Sequence, residues 1–69
     1  MPLMIAKKGE TNYIKKITGK QEVRRHLSSL GFVVGQSITI VNETGGNLIV
    51  EVKGARIAIN REMANKIMI

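Results

Sequence analysis

The residues with chemistry to offer are few, and most of them are basic. The single imidazole, His26, follows Glu22 by four residues, a spacing that puts two ligating side chains on one side of a helix. A stable metal site takes three or four protein ligands, and this chain has neither Cys nor Asp to complete one. Glu22 and His26 are therefore weak metal candidates, and the ordinary place for His26 is half-buried and salt-bridged beside an apolar stripe. Arg24 and Arg25 adjoin them. A guanidinium pair on a helix has three readings: an arginine finger that stabilises charge during GTP hydrolysis, an electrostatic docking point, or a solvated face. No Ser–His, Cys–His or paired-carboxylate arrangement emerges from the spacing, so the chain reads as a non-enzyme without a cofactor. Gly45-Gly46 is too short to cradle a phosphate and opens no helix.

The arginines need an element to carry them, and Lys20–Leu30 has the one helical period in the chain. Val23, Leu27 and Leu30 recur at i, i+4 and i+7, and Gly31 stands where a left-handed cap belongs. Lys20, Arg24 and Arg25 then lie on the flank and far side of that stripe. Before the helix, Gly9 should open a turn into a strand over about Asn12–Ile17. Ile14 and Ile17 have the wrong parity for one face of a flat strand, so a bend or bulge belongs near Lys15-Lys16.

After the helix the pattern alternates. Ile38 and Ile40, then Leu48, Val50 and Val52, then Ile57 and Ile59 mark three strands. A Gly54-Ala55 loop would pair Val52 with Ile57 and Val50 with Ile59. A three-residue Thr44-Gly45-Gly46 loop with a bulge would pair Ile40 with Val50 and Ile38 with Val52. Asn60 is placed to cap a short turn over Arg61–Asn65, ahead of a closing strand Ile67-Met68-Ile69. Phe32 is expected in the core, within a buried turn through Val33 and Val34, and the four Met residues are expected to fill gaps. Tyr13 beside Lys15-Lys16 is a single ring, thin support for base stacking. So few strands cannot bury two sheets. The economical assembly is mainly β: a small, partly open barrel of SH3-like type, with one α-helix after the first strand and a short helical turn before the last.

Sixty-nine residues, 43% of them apolar, make one domain over residues 1–69 with a small core and no room for a deep cleft. The absence of Cys removes disulfide scaffolds and thiolate metal sites. No apolar run approaches the roughly 18 residues of a membrane span, and Lys7-Lys8 follow the short N-terminal apolar stretch where a signal peptide would have them precede it. A cytoplasmic location without membrane insertion is expected. The net charge of +6 is uneven: seven basic residues in positions 1–26 face only Glu10 and Glu22. That excess asks for an acidic partner, with plain solubility as the bland alternative.

The ordered series Gly9, Ile14-x-x-Ile17-x-Gly19, Arg24-Arg25-x-Leu27-x-x-Leu30-Gly31-Phe32-x-x-Gly35 and Val50-x-Val52-x-Gly54-x-x-Ile57-Ala58-Ile59 resembles the ferrous iron transport protein A (FeoA) family across nearly the whole chain. The same SH3-like domain is found at the C-terminus of iron-dependent repressors. Val34 replaces the family's usual Pro, and Glu43–Asn47 lacks its Gly-Asp-Pro-like turn. The resemblance implies a non-catalytic accessory protein of bacterial ferrous iron uptake, whose partner is the FeoB-type membrane permease with its cytosolic GTP-binding region. The surfaces expected to meet that partner are Lys20, Arg24 and Arg25 on the helix and Gly54, Ala55 and Arg56 at the β-turn. Weak homo-oligomerisation is compatible with this reading. Two other readings stand beside it. One is a basic β-barrel binding nucleic acid through phosphates, which the scarcity of aromatics disfavours. The other is a detached regulatory domain responding to metal or to a proline-rich segment.

Overall fold

Alternating apolar residues build most of the molecule. The computed structural model describes residues 1–69. Strands β1 (Thr11–Tyr13), β3 (Ser37–Thr44), β4 (Asn47–Val52) and β5 (Ala55–Asn60) form one antiparallel sheet in that order. Strands β2 (Lys16–Ile17) and β6 (Ile67–Met68) pair as a second, two-stranded sheet. Helix α1 (Gln21–Ser29) follows β2, the one-turn α2 (Arg61–Ala64) precedes β6, and Leu3–Ile5 form a single 3-10 turn. This is a mainly β, partly open SH3-like barrel, as expected.

The bend near Lys15 is real and divides the expected strand in two. The Ile14 amide donates to the Gln36 carbonyl, but the next amide, that of Lys15, donates to Met68. Within one residue the chain leaves the larger sheet and joins the smaller. That change of partner lets buried Ile14 and half-buried Ile17, three apart, reach the same core.

Both hairpins keep the expected faces by different means. Ile40 does pair with Val50, but the odd residue is not in the loop. Thr44 pairs with Asn47 around a two-residue Gly45-Gly46 turn, and the register slips at Val41, between Ile40 and Asn42. Two glycines at positive φ (51° and 86°) supply what a type I′ turn requires, so the extra residue goes into a bulge. In the next hairpin the loop is Lys53-Gly54 instead of Gly54-Ala55, which pairs Val52 with Ala55, Val50 with Ile57 and Leu48 with Ile59. The register differs from expectation by two residues, a shift that preserves the buried face. The turn again takes positive φ at both positions, 52° at Lys53 and 77° at Gly54.

Thirteen residues are buried and all are apolar. Leu3 joins them from a terminal segment with no readable period, while Met1 is exposed and only Met4 and Met63 among the methionines pack against the core. Helix α1 ends in a double closure. The Gly31 amide donates to Ser28 and the Phe32 amide to Leu27, the Schellman pattern, with Gly31 at φ 104°. The cap turns Phe32 inward to complete burial, but Val34 emerges 67% exposed, so the turn beyond Phe32 is not the buried one expected. Asn60 caps α2 as anticipated, its side-chain oxygen accepting from the Met63 amide at 2.8 Å.

Two substitutions follow from this backbone. Gly31→Ala should cost about 2 kcal/mol, because it strains a left-handed residue and brings a Cβ to 3.1 Å from Val52 Cγ1. Lys53→Asn should gain about 0.5–1 kcal/mol, since Asn tolerates the left-handed first position of a type I′ turn. Urea unfolding midpoints at constant slope check both, and a stabilised Gly31→Ala would contradict the cap geometry.

Candidate functional site

Helix α1 displays its charges around three directions. At about 100° per residue, Leu27 faces the core, Arg24 and Ser28 turn to one flank, Glu22 and His26 to the other, and Arg25 directly outward. Lys20 is the N-cap residue and its side chain makes no capping hydrogen bond. Lys20, Arg24 and Arg25 are all exposed, as the amphipathic period requires. The stripe itself is graded: Leu27 is fully buried, whereas Val23 and Leu30 are half-buried against the core.

His26 departs from expectation. It is exposed and pairs with no carboxylate, because the helix period puts it well off the Leu27 line. Glu22 lies one turn away on the same flank, and no group of three or more His, Cys, Asp or Glu side chains comes together anywhere in the fold. Glu22 and His26 together fall short of the three or four protein ligands that a stable site takes.

The β-turn residues sit at the other end of the helix. Gly54 is the second turn residue of the β4–β5 hairpin, and Ala55 and Arg56 open β5, all three exposed. The hairpin reaches α1 at its cap: a Cβ on Gly31 would meet Val52 and Lys53. The helix N-terminus instead lies by β6, where Gly19 approaches the aliphatic part of Lys66. Lys20 and the Gly54 turn thus flank opposite ends of α1, a helix roughly 13 Å long. Strand β5 pairs with β4 alone, so Arg56 lies on a free sheet edge.

The structure also assembles a feature that no sequence motif marks. A groove of ≈ 390 Å³ runs between α1 and the bend, with Lys15, Lys16 and Arg24 among its lining residues. Ile17, Val33 and Val34 supply its accessible apolar part, with Phe32 fully buried behind them. The signals were present separately, in the Lys15-Lys16 doublet at the bend and the Val33-Val34 pair after the cap. Their meeting depends on where the Schellman turn sends the chain. A second cavity of ≈ 280 Å³ lies beside the β3 bulge, between Met4, Ile40, Asn42 and Leu48. The buried set holds no polar side chain, so no acid, base or nucleophile is withdrawn from water at either place.

The FeoA domain profile matches residues 1–69. A Methanocaldococcus jannaschii chain named for Fe(2+) transport, transport protein A, is 37% identical over 68 residues, covering 99% of this chain and 83% of its own. Among solved structures, a crystal structure of an iron uptake regulatory protein (FeoA) is similar with a TM-score of 0.88 and 31% identity, over 97% of this chain and 89% of that one. FeoA of Stenotrophomonas maltophilia, an SH3-domain protein crystallised with zinc, superimposes with a TM-score of 0.85 at 23% identity, over 99% and 87% of the two chains. At that identity the likeness speaks for the fold alone.

With two ligands on an exposed helix flank, calorimetric titration with zinc or ferrous ions should show no saturable binding in the micromolar range. His26→Ala should change stability by less than about 0.5 kcal/mol. Micromolar binding that disappears in His26→Ala would overturn this account of the flank.

Proposed function

The chain belongs to the FeoA family, and from that premise we propose that it is a non-catalytic accessory of ferrous iron transport that docks on the cytosolic GTP-binding region of a FeoB-type permease and regulates it. Lys20, Arg24 and Arg25 on α1, together with Gly54, Ala55 and Arg56 at the β4–β5 turn, form the docking surface. The observation that carries this reading is that the cations of α1 make no ion pair within the chain. The one pair present, Arg61 with Glu43 at 3.6 Å, lies elsewhere and is exposed at both ends. Uncompensated cations on a rigid helix give orientation and a fast encounter with an acidic surface.

The placement of the two regions supports a broad contact. Helix and hairpin meet at Gly31, so a partner lying across the cap reaches both without any movement of the domain. No helix here is long and apolar enough to cross a membrane, so the membrane work is assigned to the permease. Ferrous iron in this reading is the permease's cargo and not a resident of this chain. The zinc in the Stenotrophomonas relative is compatible with that, since Glu22 and His26 could contribute to a site only with ligands from another molecule.

Capture of the purified GTP-binding region on immobilised chain tests the proposal. Recovery should fall more than about tenfold in the Arg24→Glu/Arg25→Glu double variant, and should weaken as salt is raised. Any change in GTP turnover caused by the wild type should vanish with the same variant. Undiminished capture by the folded double variant would refute the docking surface.

A further inference from the structure

The groove between α1 and the bend has a chemistry of its own. Lys15, Lys16 and Arg24 are exposed along it, no carboxylate lines it, and none of the three is ion-paired within the chain. Below them Phe32 is fully buried, Ile17 and Val33 are half-buried, and Val34 stands 67% exposed at the lip. Cations thus border an accessible apolar patch of Ile17, Val33 and Val34.

We infer that this groove receives an extended acidic segment of a partner polypeptide, with carboxylates set against Lys15, Lys16 and Arg24 and one apolar side chain packed on Ile17, Val33 and Val34. The inference rests on the docking reading above, shares Arg24 with it, and adds a second face and one kind of ligand. Charge complementarity selects an acidic occupant, because the groove offers positive charge without any internal neutralisation. The apolar patch between the cations selects an apolar side chain. A lipid headgroup plane would meet the exposed cations and leave the half-buried Ile17 and Val33 between them uncovered. A nucleic acid strand would find one buried ring, Phe32, and no ladder of aromatics on which to stack bases. Arg24 and Ser28 are four residues apart, about 6 Å along the helix axis, which matches about two residues of extended chain.

The geometry separates neighbours that the sequence presents as a pair. Arg24 faces the groove, whereas Arg25 lies on the outward face of α1 and does not line it. A short peptide of glutamates around a central leucine, titrated into the isotopically labelled chain, provides the test. Amide shifts should cluster at Ile17, Arg24, Val33 and Val34. Affinity should fall about tenfold in Arg24→Glu and in Lys16→Glu, and less than twofold in Lys7→Glu, an exposed cation away from the groove. Replacing the central leucine by glycine should weaken the peptide by a similar factor. Equal loss in Arg24→Glu and Lys7→Glu, equal binding of the glycine peptide, no binding at all, or equal protection of these amides by phosphatidylglycerol vesicles would each overturn the inference. A peptide that binds as expected while the permease region is not captured would leave the groove standing and remove the FeoB reading. A captured permease region indifferent to Arg24→Glu would do the reverse.

Discussion

The arrangement of helix on sheet depends on one backbone position, Gly31. It closes α1 in a left-handed conformation, sends Phe32 straight into the core, and lets Val52 approach so closely that a Cβ would sit 3.1 Å from its Cγ1. Three consequences share that residue. The helix stops at Ser29, its apolar stripe is held over the sheet by Leu27 and Phe32, and the β4–β5 hairpin is brought against the cap. The surface features inherit this geometry, because the chain leaving Phe32 forms one wall of the groove whose other wall is Arg24.

A second constraint acts at the opposite side of the barrel. The chain ends are tied together, with the Ile69 amide donating to Met1 and the Met1 ammonium donating to the Ile69 carbonyl. Between them, Thr18 reaches the Lys66 carbonyl through both its amide and its hydroxyl. These bonds anchor β2 to β6 just before α1 begins. They hold the start of the helix as firmly as Gly31 holds its end. With both ends fixed, a helix of nine residues is stable in a chain too small to pack it against another helix.

Much of this was legible because it rests on period and parity. The stripe Val23, Leu27, Leu30 gave the helix, and strict alternation gave the faces of β3, β4 and β5. Where reading failed, the cause was a backbone preference competing with an intact pattern. The Lys53-Gly54 turn and the expected Gly54-Ala55 turn bury the same side chains, so hydrophobicity could not choose between them, and only the φ values decide. The bulge at Val41 replaces the expected three-residue loop for the same reason: two adjacent glycines make a tighter turn than parity alone suggests. Val34 failed differently, and Leu3 had no reading at all. Each lies outside any period, so its burial or exposure is set by tertiary contacts that a single segment does not encode. Lys20, Arg24 and Arg25 were placed correctly as exposed and His26 was not, and the groove was invisible because its lining comes from three separate segments, at the bend, on α1 and after the cap, that meet only once the chain has folded.

The distribution of charge carries a last consequence. The core contains no polar side chain, and the one ion pair is an exposed contact of the kind that contributes 1 kcal/mol or less. Folding therefore owes almost nothing to the basic residues. Solubility requires a net charge, yet it is indifferent to where that charge sits. Concentrating seven cations in positions 1–26, then folding Lys15, Lys16 and Arg24 around apolar atoms, works against the stability of the domain through mutual repulsion. An arrangement that the fold neither needs nor benefits from is the one that the proposed acidic partner would use. The same reasoning separates this face from the β3 bulge cavity, where Lys8 and Glu43 bring both signs together and no net field is left to attract a partner.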